Sequence, residues 1–314
     1  MGIALNGAIE QGLLFAIMAL GVYLTFRILN FPDLTVDGSF ALGGALGAKL
    51  IIDGYSPFVA TLAALVAGLL AGAFTGILST KGKINGLLAG ILTMIALYSI
   101  NLRVMGRANL PLLREETLYS MVQDFHFPGL AIGGVKLISG EAIIFLLLLV
   151  VVKVLIDWFL HTDVGLDIRA TGDNSRMIRS FGANTDSTTI FGLSLSNGLV
   201  AVSGALVAQY QGFADVGMGI GMIVIGLASV IVGEVLFGSA TIFRATIAVI
   251  LGSVVYRLVI ALALRAGLEP SDMKLITAFI VIIALTLPNV AKGVWKKTNK
   301  TSREGNASVK NLPS

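Results

Sequence analysis

Long apolar stretches separated by short polar turns set the pattern of this chain. A helix that crosses a bilayer needs roughly 20 mostly apolar residues. About nine stretches qualify: residues 8–29, 36–52, 57–79, 84–103, 140–160, 187–210, 216–236, 243–264 and 274–290. Glycines and polar residues interrupt the second and the seventh, which are the weakest of the set. The pattern predicts an all-α polytopic membrane protein. Residues 1–290 form the transmembrane domain, and 291–314 a basic, flexible tail. Residues 104–139 are long enough for an amphipathic helix or a hairpin outside the bilayer.

Lysine and arginine set the orientation. An odd number of spans places the termini on opposite sides. The tail carries Lys292, Lys296, Lys297, Lys300, Arg303 and Lys310 against Glu304, so it is predicted to be cytoplasmic and the N-terminus external. Arg27, Lys81, Lys83, Arg169, Arg176, Arg179 and Arg244 then also fall inside, and Lys49, Arg103, Arg107, Arg114, Lys136, Arg265 and Lys274 outside.

Composition agrees. The chain has 314 residues, of which 56% are hydrophobic and only 13% charged, with a mean hydropathy of +0.90. About a quarter of a soluble domain is charged, so this chain could not cover a water-facing surface. There is no cysteine, and the two histidines, His126 and His161, cannot build a metal cluster. The net charge of +4 comes from flanking basic residues rather than a nucleic-acid footprint. The first apolar run holds Glu10 and has no basic segment before it, so it reads as retained rather than as a cleaved signal. There is no phosphate loop of the form G-x-x-x-x-G-K-[ST], no arginine ladder and no TVGYG filter. No nucleophile, base and orienter set is evident, and Gly217-Met-Gly219-Ile-Gly221 precedes an apolar run rather than a nucleotide site. Energy for uphill transport would come from an ion gradient or from another subunit.

Two segments resemble each other. Phe31-Pro32-Asp33 and Phe213-Ala214-Asp215 each lead through small residues into an apolar run. In the predicted topology they run in opposite directions, as in an inverted repeat with the solute path at its interface. Pro32 also breaks a helix, and Asp33 or Thr35 could cap the next one. An ordinary capped turn is the competing reading. Asn30, Asp33, Asp37, Ser39, Asn197, Gln209 and Asp215 are the candidates for lining a path. For the neutral ones, an interhelical hydrogen bond is the commoner role. Glu10, Glu234 and Arg257 are further ionisable groups within spans, and Glu234 is placed to pair with Arg244 across a short turn. Gly68, Gly72 and Gly76, then Gly82, Gly86 and Gly90, and Gly43 with Gly47 mark close-packing helix faces.

The remaining signal is a polar segment, GLDIRATGDNSRMIRSFGANT, over residues 165–185. Residues 174–181 fit two helical turns, with Asp173 as the cap and Gly182 as the stop. Arg176 and Arg179 share one face, and Met177, Ile178 and Phe181 supply apolar contact. Such a helix suits docking into a soluble partner. A loop lying on lipid headgroups fits equally well.

This segment resembles the cytoplasmic coupling segment of permeases in the branched-chain amino-acid and ribose importer group of ABC transporters. There the segment ends in A-x-x-x-G-I-N; here it ends Phe181-Gly182-Ala183-Asn184-Thr185. Asn30-Phe31-Pro32-Asp33-Leu34-Thr35-Val36-Asp37-Gly38-Ser39 is similar to the group's N-F-x-x-G and D-L-S-V-G-S elements. Gly233-Glu234-Val235-Leu236-Phe237-Gly238 departs from its V-x-G-G-x-G-S at Glu234, Val235 and Leu236. The overall likeness is greatest to permeases of tryptophan and tyrosine import. The resemblance implies two permease copies around a central path in a bacterial plasma membrane. It also implies an ATPase dimer that carries ATP and Mg, and an external solute-binding lipoprotein. The coupling loop would cover residues 161–186, with contacts at Asp173, Arg176, Met177, Arg179, Phe181 and Gly182. The permease itself would hold no cofactor and catalyse no reaction. An importer of nucleosides or sugars, and an ion-coupled transporter acting alone, are the alternative readings.

Overall fold

The computed structural model describes residues 2–124, 130–132, 135–269, 272, 275–282 and 286. The elements run α1 (Gly2–Tyr23), a π-helical turn (Leu24–Ile28), α2 (Thr35–Ile52), α3 (Pro57–Thr80), α4 (Gly86–Met105), β1 (Asn109–Pro111), α5 (Leu118–Asp124), β2 (Leu130–Ile132) and β3 (Val135–Ile138). They continue with α6 (Gly140–Leu160), α7 (Asp163–Ser180), α8 (Thr185–Gln211), β4 (Phe213–Asp215), α9 (Met222–Phe237) and α10 (Ile242–Arg265).

Local chemistry places the helix ends. Side chains of Ser56, Asn85, Ser139, Thr162, Asn184 and Thr241 each accept a hydrogen bond from a backbone N–H in the first turn of the helix that follows. Gly106 and Gly212 stop α4 and α8 in the left-handed conformation at φ 70° and 76°, which glycine adopts without steric cost.

Seven helices among the described residues are long and apolar enough to cross a membrane: Asn6–Ile28, α2, α3, α4, α6, α8 and α10. The chain is therefore a multi-pass membrane protein of helices. The seventh expected span is a correction. Its helix begins at Met222 instead of residue 216 and is 16 residues long, because residues 216–221 turn rather than spiral. Of the ninth expected span, residues 275–282 are helical and 286 is described; the rest, like the tail 291–314, lies outside the described residues. The segment expected as a helix or a hairpin contains both, in α5 and in the β2–β3 pair.

α1, α2 and α8 form the centre, with 72–83% of their apolar windows buried, whereas α3, α4, α6 and α10 are each about one-third buried and surround them. Glycines bring the backbones together. A Cβ on Gly68, Gly72 or Gly76 of α3 would sit 2.4, 2.2 or 2.7 Å from α8 backbone atoms, and one on Gly43 of α2 would lie 1.9 Å from the Ala201 carbonyl oxygen. The small-residue faces are thus seams within one chain. Gly82 does not continue the α4 row, since it lies in the turn before that helix.

The polar residues within spans mostly join helices. Glu10 accepts from Ser139 Oγ and from Tyr210 Oη. Lys153 pairs with Asp157, which also accepts from Thr246 Oγ1 at 2.8 Å. Arg257 stacks over the Phe15 ring, 3.8 Å from its centroid. Glu234 pairs with Arg27 rather than with Arg244, whose Nε donates to the Phe237 carbonyl at 2.7 Å. The bend after Phe237 turns Arg244 onto the helix end, leaving Glu234 facing the π-helical turn.

Candidate translocation groove and coupling helix

Both F-x-D motifs break the chain in the same way. Asp33 Oδ1 accepts from Thr35 N at 2.9 Å, and Asp215 Oδ1 accepts from Gly217 N at 2.8 Å. Each carboxylate therefore turns the backbone two residues on. Before the first break, Asn30 sits at φ 52°, a conformation asparagine tolerates better than most residues. α2 then begins inside the bundle. Thr35 Oγ1 and Thr75 Oγ1 are 2.8 Å apart, five residues or about 7 Å from the end of α3 at 1.5 Å per residue.

The second break reaches deeper. β4 pairs antiparallel with β1 at the far end of the bundle, Asn109 facing Asp215. From there residues 216–221 run back along α2. Met218 lies against Gly44, and a Cβ on Gly219 would be 1.9 Å from the Asp37 carbonyl oxygen. α9 begins beside Asp37. The Asp37 carboxylate accepts from Gly221 N and Ile223 N, each at 2.8 Å. This point lies roughly 20 Å in from the α2 end nearest β4, at 1.5 Å per residue. Non-helical backbone at such depth persists only where protein or a water-filled cavity covers it. Here α2 covers it, and glycine is what allows the approach. A carboxylate on the N-terminus of α9 satisfies its free amides and opposes its positive dipole end.

Several expected path residues are instead sealed. Asp33, Ser39 and Asn197 are fully buried. Asn197 Nδ2 donates to Asp33 Oδ2 at 2.7 Å, and Ser39 Oγ donates to Asn197 Oδ1 at 2.7 Å. They lock α8 to the start of α2. Gln209 accepts from Leu118 N and donates to Thr61 Oγ1, both at 3.0 Å, holding α5 on α8. Asp215 turns the backbone at β4. Asn30 lines a cavity of about 670 Å³ at the α7 end, together with Arg27, Arg169 and Asp173. Asp37 lines a different cleft of about 460 Å³ between α2, α4 and residues 216–220. That cleft adds Tyr98, Ser99 and Asn101, which sequence reasoning missed. A polar Tyr-Ser-x-Asn run inside an apolar helix was the available signal.

The Asp33 network yields a direct test. Asp33→Asn puts an amide donor against the Asn197 amide, so one donor loses its partner. A stability loss of about 1–3 kcal/mol is expected, read as a lower thermal midpoint in detergent. The exchange Asp33→Asn with Asn197→Asp restores the donor–acceptor order between these two side chains, at the loss of the Asn197 Nδ2 bond to the Leu193 carbonyl, and should recover part of the stability.

α7 lies across the end of the bundle. It starts at Asp163, earlier than expected, because Thr162 caps it and Gly165 lets it fold back on Phe159. Its helical backbone is interrupted at Asn174 (φ −153°, ψ 87°). Asn174 Oδ1, and not Asp173 as expected, caps the second stretch by accepting from Met177 N at 3.1 Å. A Cβ on Gly172 would lie 1.9 Å from the Ile28 carbonyl oxygen, so the first stretch is seated on the π-helical turn. Ile168 is buried with Leu29 and Leu193. The second stretch projects. Asp173 and Arg176 are exposed, Met177 is 47% exposed and Phe181 78%. Gly182 closes it at φ 88°. Arg179 differs from the expected free pair: it binds Asp186 Oδ1 at 2.7 Å and Thr185 Oγ1 at the start of α8, because the chain reverses at Gly182.

A multi-pass helical bundle, with two helices that begin inside it and a third laid across one end, has the form of a membrane permease. A family model described as "Branched-chain amino acid transport system / permease component" matches residues 4–286. The chain belongs to that family. It is 45% identical over 290 residues to a tyrosine transport system permease protein of Clostridioides difficile (strain R20291), covering 92% of each chain. It is also 34% identical over 283 residues to an uncharacterized protein of Rickettsia prowazekii (strain Madrid E), covering 89% of this chain and 95% of that one. Among solved structures, PsaBC from Streptococcus pneumoniae in complex with Fab shares the fold. Its TM-score is 0.51 at 16% identity, over 90% of this chain and 89% of that one. The chain is thus a transport subunit.

Proposed function

We propose that this chain is the permease of an ATP-driven importer for an amino acid, aromatic amino acids foremost. Two copies enclose the path. A cytoplasmic ATPase dimer holds ATP and Mg and receives one α7 from each copy, and an external lipoprotein delivers the solute. The N-terminus lies outside and the basic tail inside, in a bacterial plasma membrane.

The division of α7 is the observation that carries this reading. Its first stretch is seated on the π-helical turn through Gly172, and its second presents Arg176, Met177 and Phe181 to solvent. A helix anchored at one end and bare at the other suits transfer of force from a soluble partner. Asn174 caps the bare stretch and Gly182 ends it, with Asp173 exposed where it begins. Next to the seat, Arg27 of the π-helical turn pairs with Glu234 of α9, the helix whose N-terminus Asp37 holds. Movement at α7 therefore has a contiguous route to the second break. The two F-x-D breaks, alike in their turns and opposed in direction, fit an inverted repeat with the path between its halves. The likeness to a tyrosine transport system permease supports the solute class.

Uptake in proteoliposomes tests this reading. The permease with its ATPase and receptor should accumulate labelled L-tyrosine or L-tryptophan when ATP is supplied, and the permease alone should not. Uptake by the permease alone, driven by an ion gradient, would establish a secondary transporter. Uptake of ribonucleosides but no amino acid would move the solute class.

A further inference from the structure

The cleft beside Asp37 has a chemistry of its own. Asn101 is fully buried on α4. Its Nδ2 donates to the Gly38 carbonyl at 3.3 Å, while its Oδ1 has no partner among the described residues. This orientation is required, since a carbonyl oxygen needs a donor facing it. A buried acceptor without a donor is costly and calls for a ligand, an ion or a water. On the same cleft, the Asp37 carboxylate accepts from the backbone amides of Gly221 and Ile223, and each of its oxygens retains a further lone pair. Among the described residues, no lysine, arginine or histidine lines the cleft. The polar end of the cleft is therefore acceptor-rich and negatively charged. Its mouth is apolar and open: Ile95, Tyr98 and Ile220 are 58%, 50% and 60% exposed.

We infer that this cleft is half of a solute site, taking the ammonium group of an amino acid at Asn101 Oδ1 and Asp37 and its aromatic or aliphatic body against Tyr98 and Ile95. The inference rests on the amino-acid permease reading and names the groups that would recognise that solute. Three N–H donors on an ammonium match the unpartnered amide oxygen and the spare carboxylate lone pairs, and its charge balances Asp37. Tyr98 offers a ring face to an aromatic body. Because Asp37 also caps α9, an ammonium arriving here would weaken the hold of that carboxylate on the α9 amides. Solute occupancy and the position of α9 would thus be linked.

A lipid headgroup could offer the same ammonium, so vesicles of phosphatidylglycerol alone remove that source. The chain has no cysteine, so Ser99→Cys places a single thiol in the cleft. In the reconstituted complex of permease, ATPase and receptor, L-tyrosine and tyramine should slow maleimide alkylation of this thiol. The des-amino analogue, 3-(4-hydroxyphenyl)propionate, should not. Asn101→Leu should raise the concentration needed for protection about tenfold, the scale of one lost charge-assisted hydrogen bond. ATPase retention should stay at the parent level, since the residues lining the cleft come from α2, α4 and residues 216–220 and not from α7.

Equal protection by the des-amino analogue, or no protection by L-tyrosine in a complex that imports it, overturns the site and leaves the importer standing. Protection seen only when phosphatidylethanolamine is present assigns the cleft to lipid and also overturns it. A parent complex that imports no amino acid overturns the underlying reading instead.

Discussion

The double variant Arg176→Glu, Phe181→Ala should fold as the parent does and lose its ATPase. Both side chains are exposed on the projecting stretch of α7. Neither takes part in the seat, which is made by Gly165, Ile168 and Gly172. Removing an exposed aromatic anchor and reversing a charge at a small interface typically costs 2 kcal/mol or more per hot-spot residue. Affinity for the ATPase should then fall roughly 100-fold or more. Copurification from membranes and ATP-driven uptake measure the effect, with the thermal midpoint of the permease as the control for folding. ATPase retained at parental stoichiometry would show that α7 is not the docking element.

Gly172→Leu should have the opposite signature, with the ATPase held but the work lost. A Cβ at this position meets the Ile28 carbonyl oxygen at 1.9 Å. That atom is backbone and cannot swing aside, so α7 or the π-helical turn must shift. Overpacking of this kind costs about 1–3 kcal/mol, and here it falls on the joint through which the proposed coupling passes. ATP hydrolysis by the complex should continue while uptake falls about tenfold or more. The comparison is Gly182→Asn. Gly182 lies in α7's exit turn, at φ 88°, and a Cβ there meets nothing within 4 Å. Asparagine tolerates that conformation, so transport should stay near the parental level. If Gly172→Leu transports normally, force does not pass through the π-helical turn.

The two variants also mark where sequence reasoning reached and where it stopped. The exposed helical stretch that carries Arg176, Met177 and Phe181 was legible because a charged, partly apolar segment is conspicuous among membrane runs. Gly172 was not legible, since a glycine inside a polar segment reads as a loop. Its role appears only when the Ile28 carbonyl is found pressed against it. Arg179 had the same apparent status as Arg176 by spacing. The reversal at Gly182 tied it to Asp186, a contact that helix periodicity does not reveal. The cap shifted by one residue, from Asp173 to Asn174, because the kink there changed which side chain faced the next turn's amides.

The polar residues divide in the same manner. Asp33, Ser39 and Asn197 looked like path residues because they are polar and lie in apolar runs. They prove to be a closed hydrogen-bond set, with every side chain at 0% exposure. Asp37 carries a similar signal and lies at a cleft. Nothing in the order of residues separates the two aspartates four positions apart, since the difference is which helix stands opposite each of them.

By itself, the sequence determined membrane residence, the long apolar helices, the two F-x-D breaks and the polar segment that became α7. These depend on local quantities: transfer of apolar side chains from water, helix-breaking chemistry and caps. Only the tertiary structure decided that α9 starts deep beside Asp37, that Glu234 reaches Arg27, and which polar groups are sealed or open. Those outcomes depend on the juxtaposition of residues up to some two hundred positions apart, such as Arg27 and Glu234, and pairings at that distance leave no periodicity in the chain to be read.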